Sequence, residues 1–268
     1  MYYSVKSARP ASIISGRAQV HERFTFGDYN EGNSGEEVRS MDKGRRRMGR
    51  EVWYLLYLPI YLLLFVLVEQ LVTDNYWVSW CTLDDQIPFV RQFVLIYVMW
   101  YPLMLGTTLY LLLRDRRSFV RYARSFVIGM TACMLIFLIF PSGQNLRPAE
   151  VPGHDLTAWM LRAIYAADTN TNVFPSMHVV GTLAAVIAIF DSRSASGCAK
   201  WGVAALGMLI NASTVLIKQH SLLDILGGVV LYWLVYLLVY RLPELYRSSR
   251  LARPCAARNR RRRAAPQH

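Results

Sequence analysis

The chain has 268 residues, 54% of them hydrophobic, and a formal net charge of +12. That apolar content, carried in long uncharged runs, argues against an ordinary soluble domain, whose runs are shorter and broken by charge. Most basic residues sit in segments between or outside alternate apolar runs, which argues against a nucleic-acid partner and for loops retained on a cytoplasmic side.

Residues 1–50 are polar, with Glu31, Glu36 and Glu37 ahead of the basic KGRRRMGR. No apolar core of the signal-peptide kind precedes Val52, so this segment reads as a disordered cytoplasmic arm rather than a cleaved leader. A first span is expected over 52–72, where 17 residues from Val52 carry no charge. The loop 73–91 holds Asp74, Asp84 and Asp85, and its Trp77 and Trp80 suit an interfacial aromatic belt. A second span covers 92–113, 22 uncharged residues that include Pro102, a kink candidate. The basic RDRRSFVRYAR follows as a cytoplasmic loop, and a third span over 125–140 ends at Pro141.

An external loop over 141–175 contains an interfacial helix at 156–166. A fourth span runs from Pro175 to Phe190, a turn over 191–200 leads to a fifth at 201–218, and QHSLLD opens a sixth at 225–240. The inside segments hold 10, 5, 2 and 9 basic residues, 26 of the chain's 30. The fold class is therefore all-α: a polytopic membrane bundle of about six helices over 51–240. An Arg-rich tail over 241–268 completes it, with both termini cytoplasmic. The basic arms suit anionic lipid head groups. Cys81, Cys133, Cys198 and Cys255 show no metal-ligand spacing, and neither a disulfide nor a metal site is expected.

This layout brings three polar clusters to one membrane face: NLRP, PSMH and HSLLD. Ionisable residues near membrane depth are costly and often mark function. In NLRP, Pro148 helps end a helical segment at Arg147, whose planar guanidinium can hold two phosphate oxygens, or simply contact lipid head groups. In PSMH, Pro175 suits a helix start. It leaves Ser176 and His178 in a first turn that favours an anion, where a histidine donates a proton or sits satisfied at the interface. In HSLLD, His220 and Asp224 share a helix face; the aspartate orients the imidazole as base or nucleophile, or the pair caps the sixth span.

Together these motifs resemble the type 2 phosphatidic acid phosphatase superfamily of membrane lipid phosphatases and phosphotransferases. The LDDQIPFV segment looks like a subgroup near the inositol phosphorylceramide synthases. The resemblance covers about residues 50–240. It implies that Arg147 and Ser176 bind phosphate, His178 protonates the leaving group, His220 forms a phosphohistidine and Asp224 orients it, without cofactor or metal. The chain departs from the pattern twice. Phe140 stands where the family has a lysine, and Thr214 where it has an arginine. Gln144 and Lys218 each follow the missing position by four residues, one helical turn, and are the expected replacements.

The function expected is an integral membrane phosphatase acting on a lipid phosphate or diphosphate, with its site on the extracytoplasmic or lumenal face. The alternatives are a lipid head-group phosphotransferase and a non-catalytic lipid-binding membrane protein.

Overall fold

The structure, a computed structural model, describes residues 52–71, 75–246 and 248. The arm expected over 1–50, Cys255 and the tail from residue 249 onward lie outside the described residues.

Helix α1 (Val52–Leu71) shows how the apolar runs divide their labour. Tyr61 and Val68 are buried, and Tyr54, Tyr57 and Phe65 pack beside them, at the three-and-four spacing of one helix face. The other face leaves Leu56, Ile60, Leu63, Leu67 and Leu71 exposed. In water such a stripe would aggregate; in hydrocarbon it is matched by its solvent.

The next crossing is stepped. A 3-10 turn (Arg91–Phe93) leads into α2 (Val94–Tyr97), and α3 (Trp100–Arg114) follows after a turn at Val98 and Met99. Pro102 was the expected kink, but it lies in the first turn of α3, where its missing N–H costs nothing, and the break precedes it. Helix α4 (Arg116–Ile139) starts at Arg116, not Ser125, so most of the expected basic loop is helix. The Asp115 carboxylate caps it by accepting from Ser118 N at 3.1 Å.

Helix α5 (Leu156–Ala167) matches the expected interfacial helix, capped by Asp155. Helix α6 (Met177–Asp191) is followed by α7 (Gly197–Leu216) and α8 (Leu222–Tyr236), which continues through a π-turn (Leu237–Arg241). Among the described residues, four stretches are long and apolar enough to cross a membrane: Arg91–Arg114, Arg116–Ile139, Gly197–Leu216 and Leu222–Tyr246. Leu56–Leu71 and Met177–Asp191 are shorter apolar helices. The chain is thus an all-α membrane bundle.

Helix α6 packs against α3, α4, α7 and α8. Small residues make that possible: a Cβ at Gly129 of α4, Gly207 of α7 or Gly228 of α8 would come within 3 Å of a side chain of α6. At one end of the bundle, β1 (Trp77–Val78) pairs in parallel with β2 (Ser142–Gly143), and Gly143 bridges Thr171. Three connections are thereby pinned together over the start of α6.

Candidate active site

The site grows from two helix N-termini that meet. Ser176 is fully buried; its Oγ caps α6 by accepting from Val179 N, and its own N–H donates to the Asp224 carbonyl at 3.0 Å. His178 therefore sits in the first turn of α6, directly beside the start of α8. Its ring lies between Tyr97 and Trp100, with centroids 4.8 and 5.1 Å away, and Trp100 Nε1 donates to its carbonyl.

At α8, the free N–H groups of the first turn are all met. Leu222 N donates to Asp84 Oδ1, and Leu223 N and Asp224 N donate to Ser221 Oγ, whose residue is the N-cap. Asp224 closes a capping box by accepting from Ser221 N at 2.8 Å. Ser79 Oγ donates to its other oxygen at 2.5 Å. The carboxylate is fully buried, held by Ser221 N and Ser79 Oγ at the positive end of a helix.

Onto this anchored carboxylate falls His220, whose Nδ1 lies 3.4 Å from Asp224 Oδ2. Its Nε2 lies 3.3 Å from His178 Nδ1. An ionised aspartate only accepts, so the proton in the first contact sits on His220 Nδ1. That leaves a lone pair on His220 Nε2 and makes His178 Nδ1–H the donor. The three residues expected to act together are brought together, in one line: His178, His220, Asp224.

The other expected residues are placed differently. Arg147 is committed to the backbone: its guanidinium donates to the carbonyls of Tyr165, Asp168 and Thr169 and stacks on the Tyr165 ring at 4.4 Å. Burial lowers its pKa, with the Asp168 charge opposing. Helix α7 ends at Leu216, so Lys218 is not on the helix face that its spacing implied; it has φ +55°. Its ammonium donates to the carbonyls of Asp84 and Ile87 at 2.8 and 2.7 Å. Gln144 lies beyond the end of α4, fully buried, and its Nε2 donates to the Lys218 carbonyl at 2.9 Å. The helical-turn argument fails for both because each helix stops before the replacement residue. Ser176 serves as the N-cap of α6.

The positions of the two family cations are occupied otherwise as well. Phe140 packs with Trp77 and Phe174, at 5.5 and 6.3 Å. Thr214 is buried, and its carbonyl accepts from Gln219 N and His220 N, which sets the turn that presents His220.

A cavity of about 200 Å³ opens beside the two histidines. Its wall includes Tyr61 of α1, Tyr97, Trp100 and Tyr101 of the stepped crossing, and Asp168 and Gln219. Asp168 Oδ2 accepts from Gln219 Nε2 at 2.8 Å and from the Tyr97 hydroxyl at 3.3 Å. Burial raises its pKa, and nearby His220 opposes the shift. Asp84, Ser79 and Asp168 are the participants that sequence reasoning missed. Asp84 lies in the LDDQIPFV segment already singled out, whereas Asp168 carries no local signal.

A protein-family model described as the PAP2 superfamily matches residues 69–238, more than half of the chain and all of this site except the α1 residues Tyr61, Leu62 and Phe65. No curated protein and no solved structure matches it.

Proposed function

Because the chain belongs to the PAP2 superfamily, we propose that it is an integral membrane lipid phosphatase working through a phosphohistidine on His220. The observation carrying this reading is the line His178 Nδ1, His220 Nε2, His220 Nδ1, Asp224 Oδ2, with contacts of 3.3 and 3.4 Å. Asp224 holds the Nδ1 proton, which leaves the Nε2 lone pair for phosphorus. As the N–P bond forms, the P–O bond to the lipid breaks; its electron pair leaves on the lipid oxygen, which takes a proton from His178. Water then attacks phosphorus, gives its proton back to His178, and the N–P electrons return to His220. The 3.3 Å contact leaves no room for phosphorus, so substrate parts the two rings on entry.

A second reading, transfer of a phospho-head-group to a lipid alcohol as in the inositol phosphorylceramide synthases, shares the covalent step but differs in the donor, a phosphodiester lipid, and in the acceptor. One observation favours it: among the described residues no lysine or arginine lines the cavity, and Asp168 does. A bare dianionic phosphate is poorly matched by such a wall.

The test offers purified full-length protein ³²P-labelled lipid phosphates with EDTA present, with and without a lipid alcohol. Acid-labile, alkali-stable label on the protein, absent in His220→Ala, supports the covalent step. Free phosphate then marks the phosphatase, and label on a second lipid the transferase. Absence of both turnover and protein label on every substrate would leave a lipid-binding membrane protein instead.

A further inference from the structure

We infer that the cavity beside His220 receives a cationic head group, an ammonium tethered to the phosphate by a short alkyl chain, as in a phosphocholine or phosphoethanolamine lipid. This rests on the reading of His220 as nucleophile, takes the diester donor of the second reading rather than a lipid phosphate, and names what that nucleophile removes from the lipid.

Three independent features of the wall converge on a cation. The first is aromatic: Tyr61, Tyr97, Trp100 and Tyr101 all line the cavity, supplied by two separate crossings. Ring faces attract ammonium groups, most strongly where water is scarce. The second is the carboxyl of Asp168, which also lines it and has no part in the His178–His220–Asp224 line. The third is a surplus of acceptors. The buried amide oxygens of Gln219 and Asn172, two more lining residues, have no hydrogen-bond partner.

Among the described residues, Arg147 and Lys218 do not answer these groups. The Arg147 guanidinium holds three backbone carbonyls, the Lys218 ammonium holds two, and neither residue lines the cavity. With no lysine or arginine of the described residues in the wall, a positive charge brought by the ligand matches it. Size agrees: about 200 Å³ is small for a whole ligand but suits a head group whose chains remain in the bilayer. Burial holds the Asp168 carboxyl above its usual range, and an ammonium beside it would favour the ionised form.

The chemistry follows from the same residues. His220 Nε2 attacks phosphorus of the diester, the P–O bond to the diacylglycerol oxygen breaks, and that oxygen takes the His178 proton. The phosphocholine-type group stays on His220 with its ammonium against Asp168, until water or a lipid alcohol attacks phosphorus. The N–P bond then breaks with its electrons returning to His220 Nε2, and the attacking oxygen gives its proton to His178.

The test uses full-length protein in micelles and fluorescent-tailed phosphatidylcholine, phosphatidylethanolamine, phosphatidylinositol and phosphatidic acid, reading diacylglycerol release. The two lipids with an ammonium in the head group are expected to exceed the other two by about tenfold or more in kcat/KM. Asp168→Asn should compress that ratio by about tenfold. Tyr101→Leu, at a ring 60% exposed, should compress it too without risk to folding. Binding of free phosphocholine to His220→Ala, read by Trp fluorescence, supplies a measure independent of turnover. A preference for phosphatidic acid or phosphatidylinositol, or an unchanged ratio in both variants, overturns the head-group assignment while leaving His220 as nucleophile. Phosphocholine binding without any protein label from any lipid overturns the nucleophile and keeps the cation site.

Discussion

His178 and His220 are held by opposite strategies. His220 is oriented by a carboxylate that is itself fixed by Ser79, the Ser221 N–H and a helix N-terminus; His178 is clamped between the rings of Tyr97 and Trp100. Their roles separate experimentally. His220→Ala should abolish turnover and protein labelling alike. His178→Ala should slow release of a lipid alcohol by about 10²–10⁴-fold, yet slow p-nitrophenyl phosphate far less, because that leaving group needs no proton. Equal losses on both substrates would remove the proton-donor role. Lys218 belongs to a different class: its ammonium meets two buried carbonyls that tie the 84–87 loop to the turn before α8. Lys218→Ala should therefore cost about 2–4 kcal/mol of stability, read as a lower melting temperature in detergent. Its KM should stay within about twofold. A normal melting temperature with a raised KM would instead make Lys218 a substrate ligand. The histidines and Asp224 were legible because PSMH and HSLLD each place chemistry beside a helix start. Lys218 was not, because four-residue spacing carries meaning only while the helix lasts, and the end of α7 at Leu216 has no glycine or proline to announce it.

Helix α6 is the element on which the site depends, and it is short. Its 15 residues span about 22 Å, less than a hydrocarbon core of about 30 Å. It can be short because its neighbours carry the crossing and because glycines let them close around it. A Cβ on Gly228 would lie 2.8 Å from Val179 Cβ and 2.9 Å from the Ser176 carbonyl oxygen. Backbone cannot step aside cheaply there, so Gly228→Ala should destabilise by about 1–3 kcal/mol. It should also impair turnover beyond that, since the first turn holding His178 must shift. Gly202 meets nothing within 4 Å, and Gly202→Ala is the matched control, neutral or stabilising by up to about 1 kcal/mol. At the other end of α6, burial raises the Asp115 pKa, but bonds from Ser118, Ser192 and Arg193 outweigh it and leave the pKa lowered. A lowered carboxylate pKa stabilises above the unfolded value, and the benefit disappears as pH falls through the folded one. Asp115→Ala should cost about 1–2 kcal/mol near pH 7, with the gap narrowing below about pH 4. Thermal melts at the two pH values measure it. The apolar runs were readable as crossings from length alone. The start of α4 was not, because five arginines in 114–124 read as a loop, while Asp115 as cap and the Arg121 pairs with Asp191 and Glu244 allow a helix.

On the scale of the whole bundle, the two ends have different chemistry. One end gathers the last turn of α1, the β1–β2 pair, α5 and the starts of α6 and α8, with Trp77, Trp80 and Trp159 exposed around it. The opposite end gathers Arg114, Asp115, Arg121, Asp191 and Glu244, with Trp201 exposed beside it. Because basic loops are retained on the cytoplasmic side, we propose that the second end faces the cytoplasm and the site the extracytoplasmic or lumenal side. A lipid substrate then meets His220 from the leaflet whose head groups surround it, and the released head group departs on that same side. Cysteine labelling decides the orientation. Cys198 is exposed at the start of α7, on the basic end. Glu150 is exposed in the loop before α5, on the site end. In a chain otherwise free of cysteine, a single Glu150→Cys should react with a membrane-impermeant maleimide in intact cells or sealed lumen-out vesicles. Native Cys198, alone, should react only after permeabilisation. The reverse pattern would put the histidines on the cytoplasmic face, where they would act on the inner leaflet, and the charge rule would have failed for this chain.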